Sequence, residues 1–464
     1  MNKMRRFTAA TTLVVSGMIL SLPLAATEGT DSSVPDGDDL RFTLQHRFNG
    51  GSPNPAETIT ITAEAFENNP AVFFQQLKNN FSKQLEKQTK PLQIDTELKF
   101  LLSTSDMECF GQLPTLSIKT QIDEKGVGNS QVMFPAYRRE VPEACGNGLI
   151  DWKGLDGQLS FTDSFEKLTA NLNLAGLTIE EEGGFGISLK KSTLNGTLDA
   201  DGMPIQMNLN WPSLQVRHED GQLDLQAMTL QLNNENSRKG VELGNMNLKV
   251  GQFGWTDANY KVSLDDLVII TNGEEKKGVI NYTIQTQIGQ LAIPARPPLK
   301  KAIEASLQAK LAFNRFDEES LLALQTTAHQ LAEQEYHPML FMIMLGEFMQ
   351  LIPKIVAKSP EIAVSQLTLK TSTGDLEGHL TIRIDGNRVT SLEPAVLMAA
   401  LQAQADLLIN KSLFKQVAAT HNQLGYFIKP WLMDMGDDYL FIAEFKGGEL
   451  TINDQTIPLP FDVQ

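Results

Sequence analysis

The chain has 464 residues, with 39 lysines and arginines against 56 aspartates and glutamates, a formal net charge of −17 and only two cysteines. Such a charge repels nucleic acid and anionic membrane surfaces, and no run of basic residues offsets it locally. With no CxxC, HxxxH or HExxH spacing, the two cysteines and six histidines form no metal-site motif, and no cofactor is expected.

Residues 1–26 begin with the three positive charges of MNKMRR and continue with the uncharged FTAATTLVVSGMILSLPLAA, the pattern of an export signal. Ala26 suits a cleavage site, whereas Leu24 is larger than the small residue usual two places earlier. The segment is therefore either a cleaved signal peptide or an N-terminal membrane anchor, for which about 20 apolar residues suffice. Cleavage would remove Lys3, Arg5 and Arg6 and leave the rest at −20. TEGTDSSVPDGDD, residues 27–39, has five acids, no base and almost nothing apolar, so it is expected to be a disordered acidic spacer.

A β-rich region is expected over 40–293. Within it PAVFFQQLKNNFSKQLEKQ reads as a helix flanked by strands. Cys109 and Cys145 lie beyond the export signal, where thiols are oxidised, and a disulfide between them is the simplest reading. From residue 155 apolar residues fall two apart, as in Leu172 and Leu174, Leu177 and Ile179, Ile205 to Trp211, and Met246 to Val250. This is the period of strands with one apolar face. The alternation slips between Leu225 and Leu230 and again between Val250 and Phe253, marking bulges or bends. LNLAGLTIEEEGG and LNWPSLQVRHEDG give a weak repeat 37 residues apart, and a third copy starts near Phe253; a plain meander is the alternative. GGFG at 183–186 precedes no helix with Lys-Ser or Lys-Thr and reads as a β-turn. Glu180, Glu181 and Glu182 would point to alternating faces of a strand, as a solvated edge rather than a calcium site.

An α/β region follows, 294–464. The prolines of PARPP mark a break, and Ile303 to Phe313 alternate as one more strand. Asp317 is the expected N-cap of a helix through DEESLLALQTTAHQLAEQ, with Glu318 and Glu319 favoured in its first turn. HPMLFMIMLGEFMQLIPKIVAK, 337–358, has the length of a membrane span. Glu347 and Lys354 would each cost about 2.5–3.5 kcal/mol in hydrocarbon, and Gln350 and Pro353 add polarity and a break. It is expected instead to be a helix from Pro338 to Ser359, wrapped in protein. Met339, Leu340, Met342, Met344, Phe348, Met349 and Leu351 are its candidate core or binding residues. One flank is expected on the sheet and the other against C-terminal helices around Leu397, Leu401 and Leu408, with an exposed flank that binds lipid or a second copy as the alternative. A hairpin turning at TSTGD, helices from Pro394 to about Ile428, and a closing hairpin across Lys446-Gly447-Gly448-Glu449 complete the reading. The fold class is α+β: a curled, mostly antiparallel sheet with apolar helices packed on it in the C-terminal half.

DWKGLDGQLSF at 151–161, EIAVSQLTLKTSTGDLEGHLTIRID at 361–385 and GYFIKPWLMDMGDDYLFIAEFKGGELTINDQTIPLP at the C-terminus resemble the YdgA-like family of bacterial envelope proteins, a domain of unknown function. The resemblance covers roughly 40–464. It implies a periplasmic location, or an inner-membrane one with a periplasmic domain, and carries over no catalytic residues. The spacer at 27–39 departs from the family pattern, in which the folded part follows the apolar segment directly.

No GxSxG or SxxK nucleophile motif is present, and the six histidines fall in separate elements. The expected function is that of a non-enzymatic envelope protein binding a partner protein or lipid through an apolar groove or helix. A homodimer is one such pairing, and an uncleaved N-terminal segment would add membrane association. The alternative is a periplasmic hydrolase with a site assembled from dispersed residues.

Overall fold

A computed structural model describes residues 39–62, 65, 72–162, 165–200, 203–257, 260–295, 302–332, 350–420 and 428–457. Expectations for the N-terminal segment and the acidic spacer lie outside these residues. The chain divides into two compact units: Met1–Asn233 with Trp255–Asn259, and Asn234–Gly254 with Tyr260–Gln464. The fold is mostly antiparallel β-sheet, and every described strand pairing is antiparallel.

The strands of the first unit are β1 (Leu40–Phe48), β2 (Glu57–Ile61), β3 (Leu92–Phe100), β4 (Leu116–Ile122), β5 (Gly128–Phe134), β6 (Tyr137–Val141), β7 (Gly148–Trp152), β8 (Leu155–Phe161), β9 (Lys167–Leu174), β10 (Leu177–Glu181), β11 (Gly186–Leu189), β12 (Ser192–Asp199), β13 (Pro204–His218) and most of β14 (Gly221–Asn236). Pairing runs β2–β1–β3–β4–β5–β8–β9–β12–β13–β14. A second row, β6–β7–β10–β11, also ends on β13. The rows are halves of the same long strands, each broken once: at Pro135-Ala136, Lys153-Gly154, Ala175-Gly176 and Lys190-Lys191.

Hydrogen bonds continue through the breaks, from Lys153 N to Gly176 O and Ala175 N to Gly154 O, both 2.9 Å, and from Lys190 N to Ser213 O at 3.1 Å. Gly154 and Gly176 have φ of +106° and +139°, which a side chain would strain. The sheet is thus creased along one line, whereas β13 and its partner β14 run past that level unbroken. The 37-residue repeat falls on this geometry. Leu172 lies on β9 and Leu177 and Ile179 on β10, across a crease, whereas Leu209, Leu214 and Val216 share β13. The slip expected after Leu225 is found at Ala227, whose φ is +52°.

The core of this unit follows the alternation. Phe42, Leu44, Ile94, Leu98, Ile150 and Trp152 are buried, each contributing about 1.5–3 kcal/mol relative to exposure. Helix α1 (Val72–Leu85) forms where PAVFFQQLKNNFSKQLEKQ predicts it. Phe73, Leu77 and Phe81 recur four apart and so share a face. Phe73 lies on Phe42 with ring centroids 5.4 Å apart, and Phe81 meets Phe161 and Phe165 edge-on.

In the second unit, part of β15 (Glu242–Asp257) is followed by β16 (Tyr260–Lys276), β17 (Val279–Ile293), β18 (Ile303–Asp317), β19 (Glu361–Thr371), β20 (Gly374–Ile384), β21 (Leu401–Asn410), β22 (Met433–Met435), β23 (Asp438–Lys446), β24 (Glu449–Ile452) and β25 (Gln455–Ile457). The ladder runs β16–β17–β18–β19–β20–β21–β23–β24–β25, with β22 also on β23. The PARPP stretch connects β17 and β18, which pair with Ile293 opposite Ile303. Gly447 and Gly448 of the closing hairpin have φ of +63° and +85°, the double left-handed geometry of a two-residue I′ loop.

The helical reading of 394–428 needs correction. The helix that starts at Pro394 ends at Ala400, Leu401–Asn410 is strand β21, and a helix resumes over Lys411–Thr420; residues 421–427 lie outside the described ones. Leu401, Ala403, Ala405, Leu407 and Ile409 alternate as a strand requires, and hydrogen-bonded ladders on both sides, with β20 and β23, override the helix propensity of Ala, Gln and Leu. Leu401 and Leu408 therefore point to opposite faces of a strand and cannot form the helical surface expected beside the 337–358 segment.

Helix α2 (Thr104–Phe110) was not foreseen, and helix α3 (Glu318–Ala332) was. Asp317 caps α3, its Oδ2 accepting from Ser320 N at 2.9 Å and Ser320 Oγ at 2.8 Å, a contribution of about 1 kcal/mol. Leu321 and Leu322 pack on Val241, Leu243 and Ile280. Buried Glu318 accepts from Lys239 N at 2.8 Å. A hydrogen bond from the Ser237 side chain, and then Lys239, hold its carboxyl below the usual range against the opposing effect of burial. A carboxyl depressed in the folded state stabilises fully above its unfolded pKa and loses that contribution as pH falls through the folded value. Glu318→Gln should therefore lower the Tm above about pH 5, and the gap to the parent should narrow toward about pH 3. Thermal melts across this range check it, and a pH-independent gap contradicts it.

Candidate functional site

The predicted cysteine pair stands at bonding distance, with Cys109 and Cys145 sulfurs 2.07 Å and Cα atoms 5.6 Å apart. Cys109 is buried near the end of α2, which Ser103 caps by accepting from Asp106 N. Tyr137 Oη donates to Phe110 O, and Arg139 Nη2 donates to Glu108 O at 3.4 Å, so β6 holds the same helix. Burial raises the Tyr137 pKa, opposed by the nearby Arg139. The bond thus staples a short helix to the single 3-10 turn, Glu143–Cys145, that follows the edge strand β6.

Of the residues expected on the apolar helix, Met339, Leu340, Met342, Met344, Phe348 and Met349 lie outside the described residues. Leu351 is half-buried in the helical residues 350–357, and Val356 is buried. That helix ends where Ser359-Pro360 predicts. Ser359, at φ +55°, accepts from Arg315 Nε at its carbonyl, 2.8 Å, and from Gly386 N at its Oγ, 3.0 Å. Among the described residues no helix is long and apolar enough to cross a membrane.

Among the described residues His46, His218 and His379 lie apart, each with its own partners. His379 meets Asp406 at 3.0 Å and His218 lies 3.6 Å from Asp220, both exposed. His46 is buried, with Nδ1 2.9 Å from Thr96 Oγ1 and Nε2 3.0 Å from Asn80 Oδ1. The Asn80 amide nitrogen donates to Glu57, so Nε2 donates to Oδ1 and Nδ1 accepts from the threonine hydroxyl. The order hydroxyl, imidazole, amide is that of a nucleophile with its base. Here, however, Thr96 and His46 are both buried, with the Thr96 hydroxyl on His46 Nδ1 and Nε2 on Asn80, so the arrangement ties α1 to β1 and β3. Glu180 pairs with Arg217 and Glu182 accepts from Asn147, while Gly184, φ +88°, occupies the expected turn. No group of three His, Cys, Asp or Glu among the described residues is placed to hold a metal.

The second unit carries an organised surface that no single motif announces. Across β17, β18, β19, β20, β21 and β23, Ile284, Leu311, Val364, Leu380, Ala405 and Ala443 stand opposite one another in successive pairs. The parallel row through Tyr282, Phe313, Ile362, Ile382, Ala403 and Phe445 is equally uncharged, as is the row from Ile288 to Tyr439. Directly opposed residues share a face, so these rows form one apolar face. At the Tyr282 end of this face Ile362 and Ile382 are 37% and 38% exposed, whereas at the Tyr439 end Ile409 is buried and Phe414 packs on Tyr439 with ring centroids 5.4 Å apart. The other face carries Asn314, Glu361, Arg383, Gln402 and Lys446 in a single row. Each strand's alternation was visible in the sequence, but the alignment between strands depends on bulges that the sequence did not locate, such as the register shift between Val364 and Leu367.

Replacing both cysteines, as Cys109→Ser with Cys145→Ser, should lower the unfolding free energy by about 3–4 kcal/mol on the loop-entropy account. Denaturant titration of parent and variant under non-reducing conditions checks this; coincident midpoints contradict it.

No match was found to a curated protein or to a solved structure. Residues 181–460 match the family described as bacterial protein of unknown function (DUF945), a span that holds the whole apolar face and more than half of the chain. The chain belongs to the DUF945 family of bacterial proteins.

Proposed function

We propose that this is a non-enzymatic, YdgA-like protein of the bacterial cell envelope, exported to the periplasm, whose second unit binds lipid acyl chains on its apolar sheet face. The carrying observation is the set of uncharged rows across six strands, with Ile362 and Ile382 more than a third exposed. At about 4.8 Å per strand the face is roughly 25 Å wide, comparable to the larger apolar patches that mark interaction sites. The 1–26 segment supports an envelope location, because its charged start and apolar run are those of an export signal.

The methionine-rich stretch from 337 to 349 connects α3 to the helical residues 350–357 within the same unit. A partner protein or a second copy on the same face is the competing reading, and one experiment separates them.

Ile382→Asp places a carboxylate on the exposed end of the face, where folding tolerates it and acyl chains do not. Native mass spectrometry of protein purified from envelopes in mild detergent should show parent with co-purifying lipid and the variant with at least tenfold less. Loss of a dimer by the variant, with no lipid on either protein, would assign the face to a second copy instead. No lipid and no oligomer on the parent would overturn the proposal.

A further inference from the structure

The solvent face of the first unit has a chemistry unlike the rest of the chain. Gln131, Gln158, Asn171, Asn195, Asn208 and Gln231 oppose one another in successive pairs across β5, β8, β9, β12, β13 and β14. All six are exposed, and none has a side-chain hydrogen bond to another described residue. The flanking rows, Asn129 to Asn233 and Met133 to Thr229, add mostly threonine, serine and asparagine, with Asp156 as their one charge. In a chain of which 20% is charged, an exposed face of this size without charges stands apart. The row becomes charged only at Lys119 of β4, Asp95 of β3 and Arg47 of β1, which bound the neutral zone on that side.

We propose that this amide face binds an extended neutral polysaccharide. Each carboxamide offers two donors and an acceptor with two lone pairs, and a ligand rich in vicinal hydroxyls satisfies both at once. An anionic ligand would find no cation here, and an apolar one nothing to bury. The amides repeat at the strand spacing of about 4.7–4.9 Å, close to the length of one pyranose unit in an extended glycan, so successive sugars meet successive strands. The side chains stand on hydrogen-bonded strands whose other face is core, with Leu172, Leu194, Leu209 and Leu230 buried, so little backbone freedom is lost on binding. Individually weak contacts then add along the chain.

Asn171→Ala, Asn195→Ala and Asn208→Ala together remove the centre of the row without touching the core. In native gels containing hydroxyethylcellulose or a mixed-linkage β-glucan, and in titrations with N-acetylated chito-oligosaccharides, the parent full-length chain should be retarded or saturated by at least one of the three. The triple variant should bind that probe at least tenfold more weakly. Ile382→Asp, on the other unit, should bind it like the parent, so failure of the apolar-face proposal leaves this one readable. If the parent binds none of the probes, or parent and triple variant bind alike, the proposal is wrong. If the triple variant instead differs only in sedimentation, the face is a stacking interface between copies, and the proposal is wrong in that case also.

Discussion

Direct opposition in an antiparallel ladder puts paired residues on the same side of a sheet. Everything organised in this protein depends on that rule being applied many times over. One alternating strand is only a local preference. Six in register turn the preference into a surface, apolar in the second unit from Ile284 to Ala443 and carboxamide in the first from Gln131 to Gln231. A one-residue slip in any member would exchange the faces of that strand, so the surfaces exist only because register is held throughout.

Register is held by a small number of irregular residues. Gly154 and Gly176 let neighbouring strands bend at the same level, and the bonds between Lys153, Gly154, Ala175 and Gly176 keep the two bends aligned. In the second unit Arg315, at φ +59°, marks the bulge opposite Asn281, and its guanidinium reaches Ser359 and Glu361. The strain of such a residue, of the order of 1–3 kcal/mol, is offset by three hydrogen bonds that a regular strand would not make there, counting Arg315 N to Asn281 Oδ1.

What could be read in advance divides along the same line. Strand periodicity, the Asp317 cap, the α1 stripe, the glycine hairpin and the cysteine pairing are local or compositional signals, and they were legible. Residues 401–410 were misread because Leu, Ala and Gln favour helices in isolation, while the deciding term was hydrogen bonding from strands that arrive from elsewhere in the sequence. The two faces were illegible for a related reason. Asn171, Asn195 and Asn208 are unremarkable one at a time, and only the pairing of β9, β12 and β13 makes them neighbours.

The crease gives β13 an unusual position. Its first half receives β12 and its second half β11, so two rows of strands end on one backbone. Opening of the β6–β7–β10–β11 row would free only the hydrogen-bonding groups beyond Trp211, and the other row could keep its ladder intact. The first unit therefore has the means to open in two steps rather than one, while β14, paired with β13 from Gln206 to His218, keeps that backbone bonded on its other edge through either step.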